Sequence, residues 1–243
     1  MKLYKDVEIL KVSGNVHEIV SDKVIKESSF KLLVNGKEND MLYCSPSNLR
    51  ELAIGYLYSS NLIVTINDIL TITIDDNFIS TEIIRNFTEK NKKDYNVPAI
   101  KDNNVFFTPG EIFRIVKTLS RKSKLFKETG GAHNAFLCSV NDDGWCFRED
   151  VSRNNAVNKI IGNILINKSN PFNKILAVSS RVSFSILNKV AQIGIPIVAS
   201  VSAPTERAIK LAADTGITLI GFVREQRMNV YTHKERIIYE GRN

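Results

Sequence analysis

The chain of 243 residues is long enough to bury one large hydrophobic core or two small ones. Lysine and arginine outnumber aspartate and glutamate by 33 to 26, and the formal charge of +7 favours anionic partners such as nucleotides. Basic residues do not alternate with aromatic ones, so we rank nucleic acid second and expect no nucleic-acid partner. No apolar run is long enough to span a bilayer, and no signal peptide is visible. Three cysteines make no disulfide framework. Together these features predict a cytoplasmic protein with no membrane partner.

Residues 1–105 are predicted to form a small β-rich domain with one helix. Alternating apolar residues predict six strands: Val7–Val12, Val16–Val20, Phe30–Val34, Asp40–Cys44, Ile69–Ile74 and Thr81–Phe87. Asn35-Gly36 is a hairpin-turn pair, and Asn48 with Glu51 resembles a capping box before an amphipathic helix that we expect to be a core helix without chemistry. The polar, lysine-rich segment 86–104 predicts a mobile loop or a domain junction.

Residues 106–243 are predicted to form an α/β domain in which helices cover a sheet. Thr108, Pro109 and Glu111 supply an N-cap, an N1 proline and an N3 carboxylate, which together mark a helix start. A hairpin and a further helix follow, over Asn134–Val140, Gly144–Arg148 and on through Ile164. Cys138 and Cys146 lie on the two strands of that hairpin, where they either face each other or act as small apolar fillers.

The segment from Ile175 to Tyr231 alternates between short apolar runs and helical periodicity, which predicts parallel strands joined by helices. The predicted strands are Ile175–Ser179, Pro196–Val201 and Ile217–Val223, and the predicted helices are Ser183–Ile193 and Thr205–Asp214.

Small polar residues end or follow the first two of these strands, where an open α/β sheet has its ligand crevice. They are Ser180, Arg181, Ser183, Ser200, Ser202 and Thr205, and Arg224 follows the third strand. Helix N-termini at that edge suit phosphate, but serine and threonine are also ordinary helix caps. The anion-site and the capping interpretations both stay open.

Several of these segments resemble the formate dehydrogenase accessory protein family, the sulfur carrier FdhD/NarQ group. The matching motifs are Ser180-Arg181-Val182-Ser183-Phe184, Ala199-Ser200-Val201-Ser202-Ala203-Pro204-Thr205, Gly221-Phe222-Val223-Arg224, Thr129-Gly130-Gly131 with His133, and Glu149-Asp150-Val151 with Arg153 and Asn155. The resemblance extends from about Gly130 to the C-terminus and weakly upstream. It implies a cytidine-deaminase-like αβα core in the C-terminal part, behind the smaller β-rich N-terminal domain.

The resemblance also implies a function. Family members accept sulfur from a cysteine desulfurase and pass it to the bis-molybdopterin guanine dinucleotide cofactor of formate dehydrogenase, which they bind as cargo. GDP or GTP would then be a partial mimic of that cofactor, and a homodimer is common in the family. The implied cofactor-binding residues are Thr129, Gly130, Gly131, His133, Glu149, Asp150, Arg153, Ser180, Arg181, Ser183, Ser200, Ser202, Thr205, Phe222, Val223, Arg224, Glu225, Gln226 and Arg227. His133, beside a double glycine, is either ligand-facing or structural.

The sequence departs from the family at the loop that carries sulfur. Family members have Cys-Gly-x-Cys-Gly in the region where this chain has Lys93–Pro98, and the only thiols are Cys44, Cys138 and Cys146. The positions of deaminase zinc ligands hold Asn154 and the segment 180–183, so we expect no zinc. Three classes of function therefore stay open: a sulfurtransferase that uses another thiol, a cofactor-binding chaperone that has lost sulfur transfer, and a structural or interaction protein without a ligand.

Overall fold

A computed structural model describes residues 2–84, 100, 105–139 and 145–238 of the chain. The strands are β1 Tyr4–Ser13, β2 Val16–Ile25, β3 Ser28–Val34, β4 Lys37–Cys44, β5 Ile69–Ile74, β6 Phe78–Ile83, β7 His133–Ser139, β8 Cys146–Asp150, β9 Lys174–Val178, β10 Ile197–Ser200, β11 Thr218–Arg224 and β12 Arg227–Val230. The α-helices are α1 Leu49–Ser59, α2 Pro109–Lys122, α3 Lys124–Thr129, α4 Arg153–Ile166, α5 Phe184–Ile193 and α6 Glu206–Thr215, and two short 3-10 helices cover Ile66–Asp68 and Lys234–Arg236.

The centre of the C-terminal part is a six-stranded sheet in the order β12-β11-β10-β9-β7-β8. Strands β9, β10 and β11 are parallel, as the alternating pattern predicts, while β7, β8 and β12 run antiparallel to their neighbours. Helices α4, α5 and α6 bury one face of the sheet, and α2 buries the other. The predicted hairpin, parallel strands and α2 capping box are confirmed, whereas β12 is a strand that the sequence analysis did not predict.

The two hairpin cysteines do not face each other. Leu137 of β7 is the register partner of Cys146 of β8, and the preceding and following residues of β7 point to the opposite face. Cys146 therefore packs in the core under α4 and α5, while Cys138 packs in the core under α2. The facing alternative is wrong because side chains alternate between the faces of a strand. The filler alternative is confirmed, since both cysteines are buried in the apolar core.

A second sheet, in the order β4-β3-β6-β5, packs against α1 in the N-terminal part. Strand β6 begins at Phe78 rather than at the predicted Thr81, because β3 pairs with it in parallel from that residue. The predicted end of this strand and nearly all of segment 86–104 lie outside the described residues. The division between residues 105 and 106 stays a prediction.

Helix α1 joins the two parts by packing directly on α4. A side-chain carbon added to Gly55 of α1 would overlap the carbonyl of Asn158, and one added to Gly162 of α4 would overlap the carbonyl of Glu51. The two backbones therefore touch, and only glycine fits at either position. Both glycines are helical, so close packing and not a special backbone angle is the reason.

The predicted capping box at the start of α1 is wrong. Asn48 has a left-handed backbone with φ of 51°, and its side chain makes no cap hydrogen bond. The Glu51 carboxylate instead forms a bidentate ion pair with Arg148 and accepts a hydrogen bond from Asn163 Nδ2 at 2.9 Å. A charge-assisted tertiary pair is stronger than a local cap, and it directs this side chain towards the C-terminal part.

Strands β1 and β2 form a separate two-stranded ribbon that is largely exposed to solvent. Lys23 contacts Glu128 of α3 at 2.8 Å, and Ile25 lies beside Gly131, so the base of the ribbon rests on the α3 region. In the described part of the chain, no helix has the combination of length and apolar character that crossing a membrane requires.

Candidate functional site

The carboxyl ends of β9, β10 and β11 lie at one rim of the six-stranded sheet, together with the start of β7 and the end of β8. His133 and Asp150 are register partners there, and the Ser179 N–H donates to the Asn134 carbonyl at 3.1 Å. The five predicted cofactor-binding segments, 129–133, 149–153, 180–183, 200–205 and 222–227, all reach this rim. The topology therefore brings them to one end of the sheet, as the parallel-strand pattern predicts.

A cleft between α2, α3 and this rim has two lobes. The lobe beside the middle of α2, which we call the α2 lobe, has a volume of about 650 Å³ and is lined by Phe113, Arg114, Val116, Lys117, Ser120, Val201, Val223, Arg224, Glu225 and Gln226. The other, the His133 lobe, measures about 480 Å³ and is lined by Leu119, Ser120, Ser123, Phe126, Lys127, Gly130, Gly131, Ala132, His133, Asn134, Ser179 and Val201. Ser120 and Val201 line both lobes, which are therefore neighbours in one cleft, hereafter the rim cleft.

Two of the predicted segments line the rim cleft. Gly130, Gly131 and His133 belong to the His133 lobe, and residues 223–226 belong to the α2 lobe. The sequence analysis missed the opposite wall, which α2 and α3 supply. The spacing of Arg114, Lys117 and Ser120 identifies them as the exposed side of α2, but no sequence pattern indicates that this side faces a cleft.

Helix α3 and its double glycine shape the His133 lobe. The Thr129 hydroxyl donates to the Leu125 carbonyl at 2.8 Å and accepts from the Gly131 N–H at 3.2 Å. Gly130 ends α3 with φ of 66°, a left-handed conformation that glycine adopts without strain. Thr129 therefore positions the glycine turn from within, and the turn leads the chain into His133.

His133 is half-buried at the inner end of this lobe. Burial lowers the pKa of its imidazole, and the neighbouring positive charge of Arg153 lowers that pKa further, with Asp150 opposing. The ring is therefore predominantly neutral at pH 7, since even an unperturbed histidine has a pKa near 6.5. A neutral imidazole offers one donor and one acceptor to a ligand.

Glu149 and Asp150, predicted as cofactor-binding residues, contact other parts of the protein. Glu149 accepts hydrogen bonds from the N–H groups of Leu125 and Phe126 at 3.2 and 3.3 Å, and burial raises the pKa of its carboxyl. Asp150 lies 2.6 Å from the Lys159 ammonium, and both side chains are fully buried. These carboxylates hold α3 and α4 in place, because a buried charge requires a partner.

Lys159 links Asp150 to the N-terminal part. Its ammonium also donates to the Ser45 and Glu149 carbonyls, each at 3.2 Å, and the Ser45 hydroxyl accepts from the Val151 N–H at 3.1 Å. Burial raises the pKa of Asp150, and the attraction of Lys159 opposes that rise. Together with the Gly55 and Gly162 contact and the Glu51–Arg148 pair, this network makes up what we call the α1–α4 junction.

The serine and threonine hydroxyls of the predicted anion site mostly serve the loops themselves. Ser200 Oγ donates to the Ser180 carbonyl at 2.7 Å, and Ser180 Oγ donates to the Arg181 carbonyl at 3.2 Å. Ser200 Oγ also accepts from the Ser202 N–H at 2.9 Å. These bonds tie the loop after β9 to the loop after β10, so the phosphate role expected for Ser180 has no support in its geometry.

Helix capping accounts for Thr205. Its side chain accepts from the Ala208 N–H at 3.4 Å at the start of α6, which is the capping alternative. Ser183 occupies the N-cap of α5 without a side-chain cap bond, and Arg181 is exposed. None of these three residues lines either lobe of the rim cleft.

The end of β11 and the turn that leads to β12 have unusual backbone geometry. Phe222 and Glu225 have φ of 53° and 51°, a left-handed region that is an outlier for a bulky residue such as phenylalanine. The register shifts between Gly221 and Arg224, and the Phe222 N–H donates to the Ser202 carbonyl at 3.2 Å. Phe222 and Arg227 are exposed but line neither lobe, whereas Arg224 and Glu225 do.

The three cysteines are all buried, and none lines the rim cleft. Burial raises the pKa of the Cys44 and Cys146 thiols to about 12. Cys138 lines a separate cavity of about 180 Å³ near the carboxyl end of β7, the end that points away from the rim. Residues 93–98, which replace the sulfur-bearing loop of the family, lie outside the described residues.

Comparison with known proteins agrees with this architecture. The model of the FdhD/NarQ family matches residues 25–238. Relatives named sulfur carrier protein FdhD include one from Shouchella clausii (strain KSM-K16), 35% identical over 90% of this chain and 91% of its own length, and one from Bacillus subtilis (strain 168), also 35% identical over 90% and 91%.

A solved structure gives the same fold. The crystal structure of a formate dehydrogenase accessory protein from Desulfotalea psychrophila superposes with a TM-score of 0.87 at 23% identity, covering 98% of this chain and 100% of that one. At this identity the similarity speaks for the fold alone, and the sequence matches carry the relationship. The chain belongs to the FdhD/NarQ family.

Proposed function

We propose that this protein is an accessory protein for formate dehydrogenase maturation that binds the bis-molybdopterin guanine dinucleotide cofactor in the rim cleft. The observation that carries the proposal is the cleft itself. Its two lobes, of about 650 and 480 Å³, lie at the carboxyl ends of parallel strands, where open α/β sheets bind ligands. Each volume falls in the range of about 300–1,000 Å³ typical of small-molecule sites.

The composition of the cleft suits an anionic nucleotide. Arg114, Lys117 and Arg224 line the α2 lobe and Lys127 lines the His133 lobe, against one carboxylate, Glu225. An excess of positive charge favours phosphate, which accepts charge-assisted hydrogen bonds. The names of the relatives and of the solved neighbour support the same pathway, because they refer to sulfur carriers and to formate dehydrogenase.

For the sulfur step, the buried thiols favour a cofactor chaperone over a sulfurtransferase. A reactive cysteine is partly exposed and has a lowered pKa, whereas Cys44 and Cys146 are buried with thiol pKa values raised to about 12. The sulfurtransferase alternative needs Cys138, which faces away from the rim cleft. In either version the cysteine desulfurase and formate dehydrogenase are the proposed partners, and the αβα layers are proposed to correspond to a deaminase-like core without zinc.

Titration with GDP and with persulfide donors separates these alternatives. We expect GDP to bind the folded protein with millimolar or tighter affinity, measured by calorimetry, and we expect all three thiols to stay unmodified by persulfide labelling under native conditions. GDP binding together with a labelled cysteine would restore the sulfurtransferase. No binding at millimolar GDP would favour a protein that acts through its surface without a ligand.

A further inference from the structure

We propose that helix α2 supplies the phosphate-binding wall of the rim cleft. Arg114 and Lys117 of α2, with Arg224 on the facing turn, would hold the phosphate groups of a guanine nucleotide in the α2 lobe, and the His133 lobe would receive a planar ring. This inference rests on the proposed function, to which it adds an orientation for the ligand. None of the family motifs quoted in the sequence analysis lies in α2.

The orientation of α2 is rigidly determined. Its capping box is complete, since the Thr108 hydroxyl accepts from the Glu111 N–H and the Glu111 carboxylate accepts from the Thr108 N–H at 2.7 Å. Ile112, Ile115, Val116 and Leu119 pack against the sheet, and Val116 and Leu119 also line the cleft. Arg114 and Lys117, three residues apart, therefore share the side that lines the α2 lobe.

Among the residues that the structure describes, the three cations of the α2 lobe have no ion-pair partner. Within the described ranges, no carboxylate lies within 4 Å of the charged groups of Arg114, Lys117 or Arg224. Arg148 and Lys159, in contrast, are paired within the protein. The α2 lobe thus combines three unpaired cations with one carboxylate, Glu225, and its charge is available to an anionic ligand.

The His133 lobe has a different character. Its one lysine, Lys127, donates to the Arg121 carbonyl at 2.9 Å, and its histidine is predominantly neutral. Phe126, Gly130 and Gly131 add an exposed ring and open backbone. In the orientation that satisfies both ends of its amide, Asn134 accepts from Ser123 Oγ at 2.6 Å and donates to Glu149 Oε1 at 2.9 Å. A planar heterocycle fits this lobe better than phosphate does.

The test compares GDP with guanosine on matched variants. The double variant Arg114→Gln/Lys117→Gln should bind GDP at least about 100-fold more weakly than the wild type, since each lost charge-assisted hydrogen bond to phosphate weakens binding about tenfold or more. Guanosine affinity should not change, and the salt dependence of GDP binding should flatten. Arg121→Gln is the control, because Arg121 lies on the same helix with the same charge and lines neither lobe.

The outcomes separate this inference from the proposed function. If the wild type binds GDP and the double variant binds it equally well, the α2 wall is wrong and the proposed function stands. If the double variant loses guanosine and GDP affinity to the same extent, the assignment of phosphate to the α2 lobe is wrong. If the wild type binds no GDP at millimolar concentration, both proposals fall. Unchanged melting temperatures would establish that each variant is folded.

Discussion

The α1–α4 junction and the rim cleft use charged and glycine residues in opposite ways. In the junction, Asp150 and Lys159 neutralise each other out of contact with water, and two glycines let the helix backbones touch. In the cleft, Arg114 and Arg224 have no carboxylate partner among the described residues, and a side-chain carbon added to Gly130 would meet nothing within 4 Å. Charges that are paired inside the protein support the fold, whereas we propose that the cations around the cleft bind an anionic ligand.

This difference divides the residues of the matched family motifs into those that line the cleft and those that make contacts inside the protein. The Glu149-Asp150 pair matches the family, yet both carboxylates are tied to backbone or to Lys159. A match to a family motif therefore does not distinguish a ligand-binding residue from one that stabilises the structure around the site. Substitutions should distinguish them, because junction changes should reduce stability while cleft changes should reduce binding alone.

The largest effect is expected for Gly162→Leu. The added side chain would overlap the Glu51 carbonyl, so α1 and α4 must separate. We expect a loss of more than about 5 kcal/mol in the free energy of unfolding, beyond the usual range for single substitutions, measured by urea denaturation where the variant is soluble. Gly110→Ala in α2 is the control, since nothing lies within 4 Å of the added carbon, and it should be neutral or slightly stabilising. A stable, folded Gly162→Leu protein would contradict the close packing.

The second-largest loss of stability is expected for Lys159→Met. It leaves the Asp150 carboxylate buried without its counter-charge, a change that costs about 3–5 kcal/mol in unfolding free energy. The exposed pair Lys31–Glu38, at 3.0 Å, provides the comparison, and Lys31→Met should cost less than about 1 kcal/mol. Equal losses for the two variants, measured by chemical denaturation, would refute a structural role for the buried pair.

A smaller, pH-dependent effect is expected from His133. The pKa of the His133 ring is lowered in the folded protein, so the unfolded chain binds the proton more tightly and stability rises with pH. The contribution of the neutral ring to the free energy of unfolding is complete above the ordinary histidine pKa near 6.5. It is lost as the pH falls through the lower pKa of the folded state. NMR titration should find the His133 ring below 6.5, and Arg153→Gln should raise its pKa. A ring that titrates at or above 6.5 would contradict the described surroundings.

The smallest effect on stability is expected for Arg224→Gln. Because the guanidinium is exposed and makes no ion pair with a described carboxylate, the unfolding free energy should change by no more than about 0.5 kcal/mol. GDP affinity should nevertheless fall if Arg224 contacts phosphate as proposed. A clear drop in melting temperature, with binding retained, would place Arg224 with the junction residues rather than with the cleft.

Much of the fold was predictable from local patterns. Alternating apolar residues identified β1 to β4, and helical spacing between β-branched runs identified β9, α5, β10, α6 and β11 to within a few residues. The capping signals of Thr108, Pro109 and Glu111 located the start of α2. These features depend on neighbours in the chain, which the sequence displays directly.

The site was only partly predictable. The rule that ligands bind at the carboxyl ends of parallel strands located the rim, and the family motifs located His133 and Arg224. The roles of Glu149, Asp150 and Glu51 were not visible, because their partners are distant in the chain: Glu51 and Arg148 are 97 residues apart. The α2 wall was missed for the same reason, since an exposed helix side has the same pattern whether it faces solvent or a cleft.

The sequence by itself determined most of the helices and strands, the parallel order of β9, β10 and β11, the rim at which loops gather and the absence of a cysteine in segment 86–104. Tertiary structure alone decided which charges are neutralised inside the α1–α4 junction and which stay open around the cleft. The physical reason is that periodicity and capping act between residues a few positions apart, whereas pairing and desolvation of charges depend on groups that only the folded chain brings together.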